Sequence, residues 1–218
     1  MIVTRSRLLL KILVVDDHTI VREGLKQILS EVPDIIVAGE ASDGNQALKQ
    51  VSNGEYDLLL LDIAMPDVSG LEVLKQLKKE RPDLPILMLS MYPEEQYAVR
   101  TLKAGASGYL TKESAPEELI AAIRKVSAGG KYVTSSLAEK LAHYLKTDFE
   151  KPVHEHLSDR EYQVVLMIAS GKTVSQIATE LSLSVKTIST NRSRALTKMG
   201  MKTNAEVTYY AIKHGLVD

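Results

Sequence analysis

The stretch LLLLDIAMPDVSG, residues 58–70, decides the fold. Four leucines run directly into Asp62, after which Pro66 and Gly70 interrupt the chain. A short, continuously apolar run bounded by turn-forming residues is typical of a parallel strand that is buried on both faces. The carboxylate therefore lies where the strand leaves the core, and open parallel sheets bind their ligands at that edge.

Other apolar runs share this character and alternate with segments of helical apolar spacing. The runs are KILVVD (11–16), IIVAGEA (35–41), LPILMLS (84–90) and SGYLTK (107–112). Together with the leucine run they give five strands alternating with five helices, which predicts an α/β domain with a doubly wound, five-stranded parallel sheet.

The strand signal ends at about Thr134, and the periodic segments beyond it are helical. A predicted helix at 135–146 leads into a linker that contains Pro152. Beyond the linker are four helical segments, SDREYQVVLMIASG, TVSQIATELS, SVKTISTNRSRALTKMG and TNAEVTYYAIKHG. We therefore divide the chain into an α/β domain (10–130), a helix and linker (131–156) and an all-α domain of four helices (157–218).

Composition limits the possible functions. The 218 residues are 44% hydrophobic and 25% charged, which is ordinary for globular proteins. The absence of cysteine excludes disulfides, thiolate metal sites and a cysteine nucleophile, and favours the cytosol. We interpret the opening residues as a short extension that leads into the first strand rather than as a signal peptide, and no apolar run approaches the length of a membrane span. Residues 1–150 carry a net charge of −4 and residues 151–218 carry +3, so an acidic domain is joined to a basic one.

Polar residues end four of the strands in the α/β domain. They are Asp16, Asp17, Asp62, Ser90 and Lys112. The three carboxylates would repel one another unless a cation neutralised them, and oxygen ligands at an open, aqueous edge favour Mg²⁺. A carboxylate beside Mg²⁺, a lysine and a hydroxyl is equipped to attack a phosphoryl group.

The motifs VVDD, LLLLDIAMPDVSG, LS and GYLTK resemble, in order and spacing, those of response-regulator receiver domains of two-component signalling. The resemblance covers about residues 10–130 and implies the flavodoxin-like, CheY-like fold. It further implies that Asp62 is the phospho-acceptor, and that Asp16 and Asp17 hold Mg²⁺ together with Asp62 and the carbonyl of Ala64.

The same resemblance gives roles to the residues around the acceptor. Lys112 would pair with the phosphoryl group, Ser90 would close onto it, and Tyr109 would turn inward as the switch aromatic. Ala64 and Tyr92, at positions that vary among receivers, are our candidates for setting the lifetime of the phosphoryl group.

The helical region has the pattern of a helix-turn-helix. Ser158 and Glu161 form a predicted capping box, and a short turn around Leu183 precedes a second helix capped by Ser184. Residues 157–217 resemble the LuxR/NarL-type effector domain through LSDRE, IASGKT, IATELSLS and TIS.

The effector resemblance implies DNA-contacting positions on the second helix of the motif. Ser189, Thr190 and Ser193 would face base edges, whereas Lys186, Arg192 and Lys198 would face the phosphate backbone. The chain departs from the family's pattern at Asn191, where histidine is usual, and at 173–174, where Thr-Val replaces the usual polar pair.

On the same helix, Ile188, Ala195 and Leu196 are predicted to be core.

The predicted function is that of a response regulator of the NarL/FixJ family, and not of an enzyme. A sensor histidine kinase would phosphorylate Asp62, and the phosphorylated chain would form a homodimer that binds promoter DNA. Three alternatives remain open: a DNA-binding protein with a vestigial receiver, a Mg²⁺-dependent phosphatase, and a basic helical bundle that binds only protein. Ala64 argues against the haloacid-dehalogenase phosphatases, which need a second aspartate there.

Three histidines could suggest metal sites. His18 follows the acidic pair but is interpreted as the start of the first helix rather than as a ligand. His154 and His156 are interpreted as part of a solvated linker.

Overall fold

The computed structural model describes residues 9–66, 68–134, 137–139 and 152–217. These residues form two compact units, one within 1–91 and 101–132 and the other within 92–100 and 133–218. The predicted helix at 135–146 lies mostly outside the described residues, although 137–139 are helical.

The first unit contains a parallel sheet with the strand order β2-β1-β3-β4-β5. The strands are β1 (Leu10–Val15), β2 (Ile35–Ala41), β3 (Leu58–Asp62), β4 (Ile86–Ser90) and β5 (Gly108–Thr111). The helices that alternate with them along the chain are α1 (Thr19–Ser30), α2 (Gly44–Asn53), α3 (Gly70–Glu80), α4 (Glu94–Lys103) and α5 (Pro116–Ser127), and residues 94–100 of α4 belong to the second unit. The predicted doubly wound sheet of five parallel strands is confirmed.

The leucine run lies at the centre of this sheet. Strand β3 pairs with β1 on one side and β4 on the other, and all four of its leucines are fully buried. Successive side chains of a strand point to opposite faces, so both faces of β3 are covered. The run is therefore apolar throughout because neither face of the strand meets water.

Gly70 allows α3 to begin directly against the end of β3. Its N–H donates to the carbonyl oxygen of Ile63 at 3.0 Å. A Cβ atom at this position would lie 1.8 Å from the carbonyl oxygen of Asp62. Only glycine permits this approach, because the obstructing atom belongs to the backbone and cannot rotate away.

The second unit contains the predicted four helices after the linker. They are α6 (Asp159–Ala169), α7 (Val174–Glu180), α8 (Val185–Met199) and α9 (Asn204–Lys213). The predicted capping box is present, with Ser158 and Glu161 each accepting from the backbone N–H of the other. Ser184 caps α8 as predicted. The turn between α7 and α8 passes through Ser182, which has a φ of 53°, so the helix-turn-helix is confirmed.

The interpretation of both linker histidines as solvated is wrong for His154. Residues Val153–His156 form a 3₁₀-helix, and the His154 side chain is buried. Its Nδ1 lies 2.9 Å from the hydroxyl of Tyr210 on α9. The aromatic partner provides both packing and a hydrogen bond, which the local sequence does not reveal. His156 is exposed, as predicted.

We expect Gly70→Ala to destabilise the fold by at least about 2 kcal/mol, because relieving the contact with the Asp62 carbonyl requires α3 to move. Urea unfolding of the variant and the wild type measures this difference. Gly24→Ala in α1 is the matched control, since its Cβ would meet no atom within 4 Å. It should stabilise the chain by up to about 1 kcal/mol. Equal stability of the two variants would contradict the argument.

Candidate functional site

Two buried carboxylates meet at the carboxyl edge of the sheet. Val15 and Leu61 are partners in the register of β1 and β3, so Asp16 and Asp62, one residue further on, come side by side. Each is only 1% exposed. Asp17 lies beside them and is partly exposed. The three residues converge as predicted, because parallel strands end at the same edge of the sheet and these strands end in acidic residues.

Lys112 enters the same edge from β5. Its Nζ lies 2.6 Å from Asp16 Oδ2 and 2.8 Å from Asp62 Oδ2. Its backbone N–H donates to the carbonyl of Ser90 at 2.7 Å, which fixes the lysine where β4 and β5 end together. The single ammonium group therefore bridges two carboxylates on two different strands.

Burial controls the electrostatics of the site. It raises the pKa of Asp62, and the neighbouring Asp16 adds to the rise while Lys112 opposes it. Burial also acts against the charged form of Lys112, but the Asp62 and Asp16 carboxylates outweigh it and raise the pKa of the ammonium. At neutral pH the lysine therefore stays charged, and it offers one positive charge against two buried acids.

The donor set fits a divalent cation. Asp62 Oδ1 is buried and accepts no side-chain hydrogen bond within the described part of the chain, while the backbone of Ala64 next to it lowers the pKa of Asp62. Such an oxygen costs free energy unless it meets a positive charge or a donor. Ligand atoms of Asp16, Asp17, His18 and Asp62 all lie within 4.8 Å of one another. The acidic pocket is thus compatible with binding a divalent metal ion.

The remaining predicted receiver residues occupy the neighbouring strands and loops. Ser90 ends β4 and is fully buried, next to Thr111 in the register of β4 and β5. Tyr109 lies in β5 and is 1% exposed. Ala64 is half-buried in the loop after β3. In the second unit, the ring of Tyr92 packs against that of Tyr97, with 5.1 Å between the centroids.

Sequence reasoning missed that the His18 side chain belongs to this cluster. His18 is the residue before α1, as predicted, but its side chain makes no capping hydrogen bond. Its Nδ1 instead lies 2.9 Å from Asp17 Oδ1 and 3.3 Å from Asp16 Oδ1. The sequence did carry a signal for this contact, because His18 directly follows Asp16 and Asp17. Preceding α1 and contacting the two carboxylates are compatible roles for one histidine.

Helix α8 presents a polar surface in the second unit. Ser189, Thr190, Ser193 and Lys186 are exposed, whereas the predicted core residues Ile188, Ala195 and Leu196 are buried.

Two of the predicted phosphate-contacting side chains have partners within the protein. Arg192 Nε donates to Asn204 Oδ1 at 2.6 Å, and Lys198 Nζ lies 2.6 Å from Glu161 Oε2. Although burial opposes the charge, Lys198 and the Ser158 cap lower the pKa of Glu161. These contacts orient the two cationic side chains along α8 and its neighbours.

Two family models match the chain. The response regulator receiver domain matches residues 12–124, and the bacterial regulatory proteins of the luxR family match residues 155–211. The chain therefore belongs to the NarL/FixJ family of two-component response regulators, with a receiver domain followed by a LuxR-type DNA-binding domain. This family regulates transcription and is not one of enzymes, as the sequence predicted.

Individual relatives cover almost the whole chain. The response regulator UvrY of Escherichia coli K12 is 37% identical over 209 residues, which are 95% of this chain and 96% of UvrY. The response regulator GacA of Pseudomonas aeruginosa is 37% identical over 214 residues, or 96% and 99% of the two chains. Among solved structures, RcsB of Salmonella enterica serovar Typhimurium, bound to the rprA promoter with the phosphomimetic BeF₃⁻, has a TM-score of 0.64 at 27% identity, covering 93% and 98%.

Within the described residues, no helix is both long enough and apolar enough to cross a membrane.

We expect Asp62→Asn to stabilise the metal-free fold at neutral pH, because it removes a buried carboxylate that is charged there. Because the folded pKa of Asp62 is raised above its ordinary 3.8, its contribution to stability is present below that value and is lost as pH rises through the folded pKa. The asparagine escapes this loss, while Lys112 keeps Asp16 as a partner.

Urea unfolding of both proteins between about pH 4 and pH 8 measures the effect. The stability difference should grow from acid to neutral pH. A difference that is constant with pH, or a variant that is less stable at neutral pH, would show that burial does not dominate at Asp62.

Proposed function

We propose that Asp62 accepts a phosphoryl group from a sensor histidine kinase and that this controls binding of the chain to promoter DNA. The observation that carries the proposal is the geometry at the end of β3. A buried carboxylate there has one oxygen 2.8 Å from the Lys112 ammonium, and the other accepts no side-chain hydrogen bond among the described residues. One oxygen is thus oriented, and the other is available to attack.

The transfer conserves atoms and charge in a simple way. A carboxylate oxygen of Asp62 attacks the phosphorus of the kinase's phosphohistidine, and an O–P bond forms as the P–N bond breaks. The electron pair of that bond returns to the imidazole nitrogen, which takes a proton. Lys112 then exchanges a carboxylate partner for a phosphoryl oxygen, so its charge remains neutralised throughout.

We assign Asp16, Asp17, Asp62 and the carbonyl oxygen of Ala64 as the residues that would hold Mg²⁺. When bound, the ion supplies the second positive charge that the transferring phosphoryl oxygens need. The three acids converge, and Asp62 has a buried oxygen that accepts no side-chain hydrogen bond from the described residues, which supports this assignment.

Ser90 and Tyr109 are proposed as the switch. Ser90 ends β4, the strand that pairs with β3, and its carbonyl oxygen accepts a hydrogen bond from the Lys112 N–H. A movement of Lys112 toward a phosphoryl group would therefore act directly on Ser90. Phosphorylation adds only local charge, and it must therefore shift a balance between two existing arrangements. We propose that one of these is a homodimer that binds DNA, and that the protein acts in the cytoplasm, where its kinase and promoters are accessible.

The proposed DNA surface is α8, with the two groups of residues that the sequence predicted. Ser189, Thr190 and Ser193 are exposed on it and can reach base edges. The cationic positions Lys186, Arg192 and Lys198 serve the phosphate backbone. The RcsB structures include complexes with promoter DNA, and this supports carrying the same activity over to the present chain.

The domain boundaries of 10–130, 131–156 and 157–218 stay predictions.

A phosphodonor should tighten promoter binding of the wild-type chain about 5-fold to 150-fold, the usual range of coupling between two sites. Fluorescence anisotropy with promoter fragments selected from a random pool, with and without acetyl phosphate and Mg²⁺, measures the change. Asp62→Asn should bind with the same affinity in both conditions.

The matched control for this experiment is Asp57→Asn. Asp57 precedes the other end of β3 and accepts a hydrogen bond from the Lys11 N–H, which asparagine can also accept. It should respond to the phosphodonor as the wild type does. If Asp62→Asn responds equally, the receiver site does not control DNA binding and the vestigial alternative is correct.

We also expect Lys186→Ala to weaken binding to all DNA sequences alike and to reduce the slope of log affinity against log salt by about 1. The reason is that a phosphate contact releases a counterion irrespective of sequence. Lys213→Ala, an exposed lysine of α9, is the control and should keep the wild-type slope. Loss of discrimination among sequences at an unchanged slope would instead place Lys186 against a base.

A further inference from the structure

The acidic pocket contains a nitrogen donor that oxygen-only magnesium sites lack. His18 Nδ1 lies 2.9 Å from Asp17 Oδ1 and 3.3 Å from Asp16 Oδ1. The imidazole is 62% exposed, so most of the ring faces solvent and has room to reorient. Its proximity to the carboxylates follows from the backbone, which is fixed at the start of α1.

Hydrogen bonds on both sides of His18 fix its backbone. The His18 N–H donates to Asp16 Oδ1 at 2.9 Å, and the His18 carbonyl accepts from Arg22 N–H at 3.1 Å. Arg22 Nη1 in turn donates to the carbonyl of Asp16 at 2.7 Å. The loop from β1 into α1 is therefore closed on itself, and it keeps the root of the imidazole beside the carboxylates while the ring can still turn.

The distances suit coordination of a single ion. Donors of Asp16, Asp17, His18 and Asp62 lie within 4.8 Å of one another. Two donors on opposite sides of a first-row transition ion, each at about 2.1 Å, are about 4.2 Å apart. Because the His18 ring is exposed and Asp17 is partly exposed, both side chains have room to reorient toward a shared centre.

We propose that His18 is a nitrogen ligand that lets the receiver site bind late first-row transition ions, such as Zn²⁺ and Ni²⁺, in competition with Mg²⁺. Imidazole suits these ions, whereas Mg²⁺ strongly prefers oxygen and keeps several waters. The carboxylates would bind both Mg²⁺ and the transition ions, whereas His18 would bind only the transition ions. This inference rests on the divalent-cation site proposed above and adds to it a selectivity residue.

The test uses the full-length chain and isothermal titration calorimetry, with Zn²⁺ and Mg²⁺ titrated separately. His18→Asn should weaken Zn²⁺ binding by about tenfold or more and change Mg²⁺ affinity by less than about twofold. Asparagine is a preferred residue at a helix N-cap, so the variant should keep the start of α1 intact. Excess Mg²⁺ should displace Zn²⁺ from the wild type, because both ions use the same carboxylates.

Two further variants make each outcome decisive. His156→Asn removes an exposed histidine from the second unit and should leave both affinities unchanged. Asp17→Asn should weaken both ions. If His18→Asn leaves Zn²⁺ affinity intact, or weakens both ions equally, His18 is not a selective ligand and the inference fails while the magnesium site stands. If the wild type binds neither ion, the proposed cation site itself fails.

Discussion

The bridge from the Lys112 ammonium to two buried carboxylates is the constraint on which the site depends. Asp16 and Asp62 are each 1% exposed, and burying two acids beside one base leaves the centre short of positive charge. A buried charge without full compensation destabilises the folded state. The fold tolerates this deficit at one edge of its sheet, where the acidic pocket is compatible with a divalent cation that would supply the missing positive charge.

The rest of the first unit holds that edge in place. The leucines of β3 fill both faces of the sheet and fix where the strand ends, which decides where Asp62 lies. Gly70 then lets α3 start against the backbone of Asp62, and the hydrogen bond from Lys112 N–H to Ser90 ties β5 to β4. Each of these features therefore helps to hold Asp62 and Lys112 at the separation that the site requires.

Local patterns in the sequence were enough to predict most of the architecture. The run 35–41 is β2 to the residue, and the Ser158 and Glu161 capping box forms as expected, because both depend on neighbours in the chain. The edge at which Asp16 and Asp62 meet was also predictable, since parallel strands all end on the same side.

Pairings between residues far apart in the chain could not be predicted from the sequence. The ion pair of Lys198 with Glu161 and the contact of His154 with Tyr210 join different helices, and no periodicity reports them. His18 is a different case, because its neighbours were visible. An exposed histidine can both begin a helix and direct its ring toward neighbouring carboxylates, as His18 does.

The most direct test of the account is to locate the phosphoryl group. The full-length chain is incubated with acetyl phosphate and Mg²⁺, the acyl phosphate is trapped by reduction with borohydride, and the peptides are mapped by mass spectrometry. We expect modification at Asp62 alone, and none in an Asp62→Asn variant. Modification at Asp16 or Asp17, or none at all in the wild type, would contradict it.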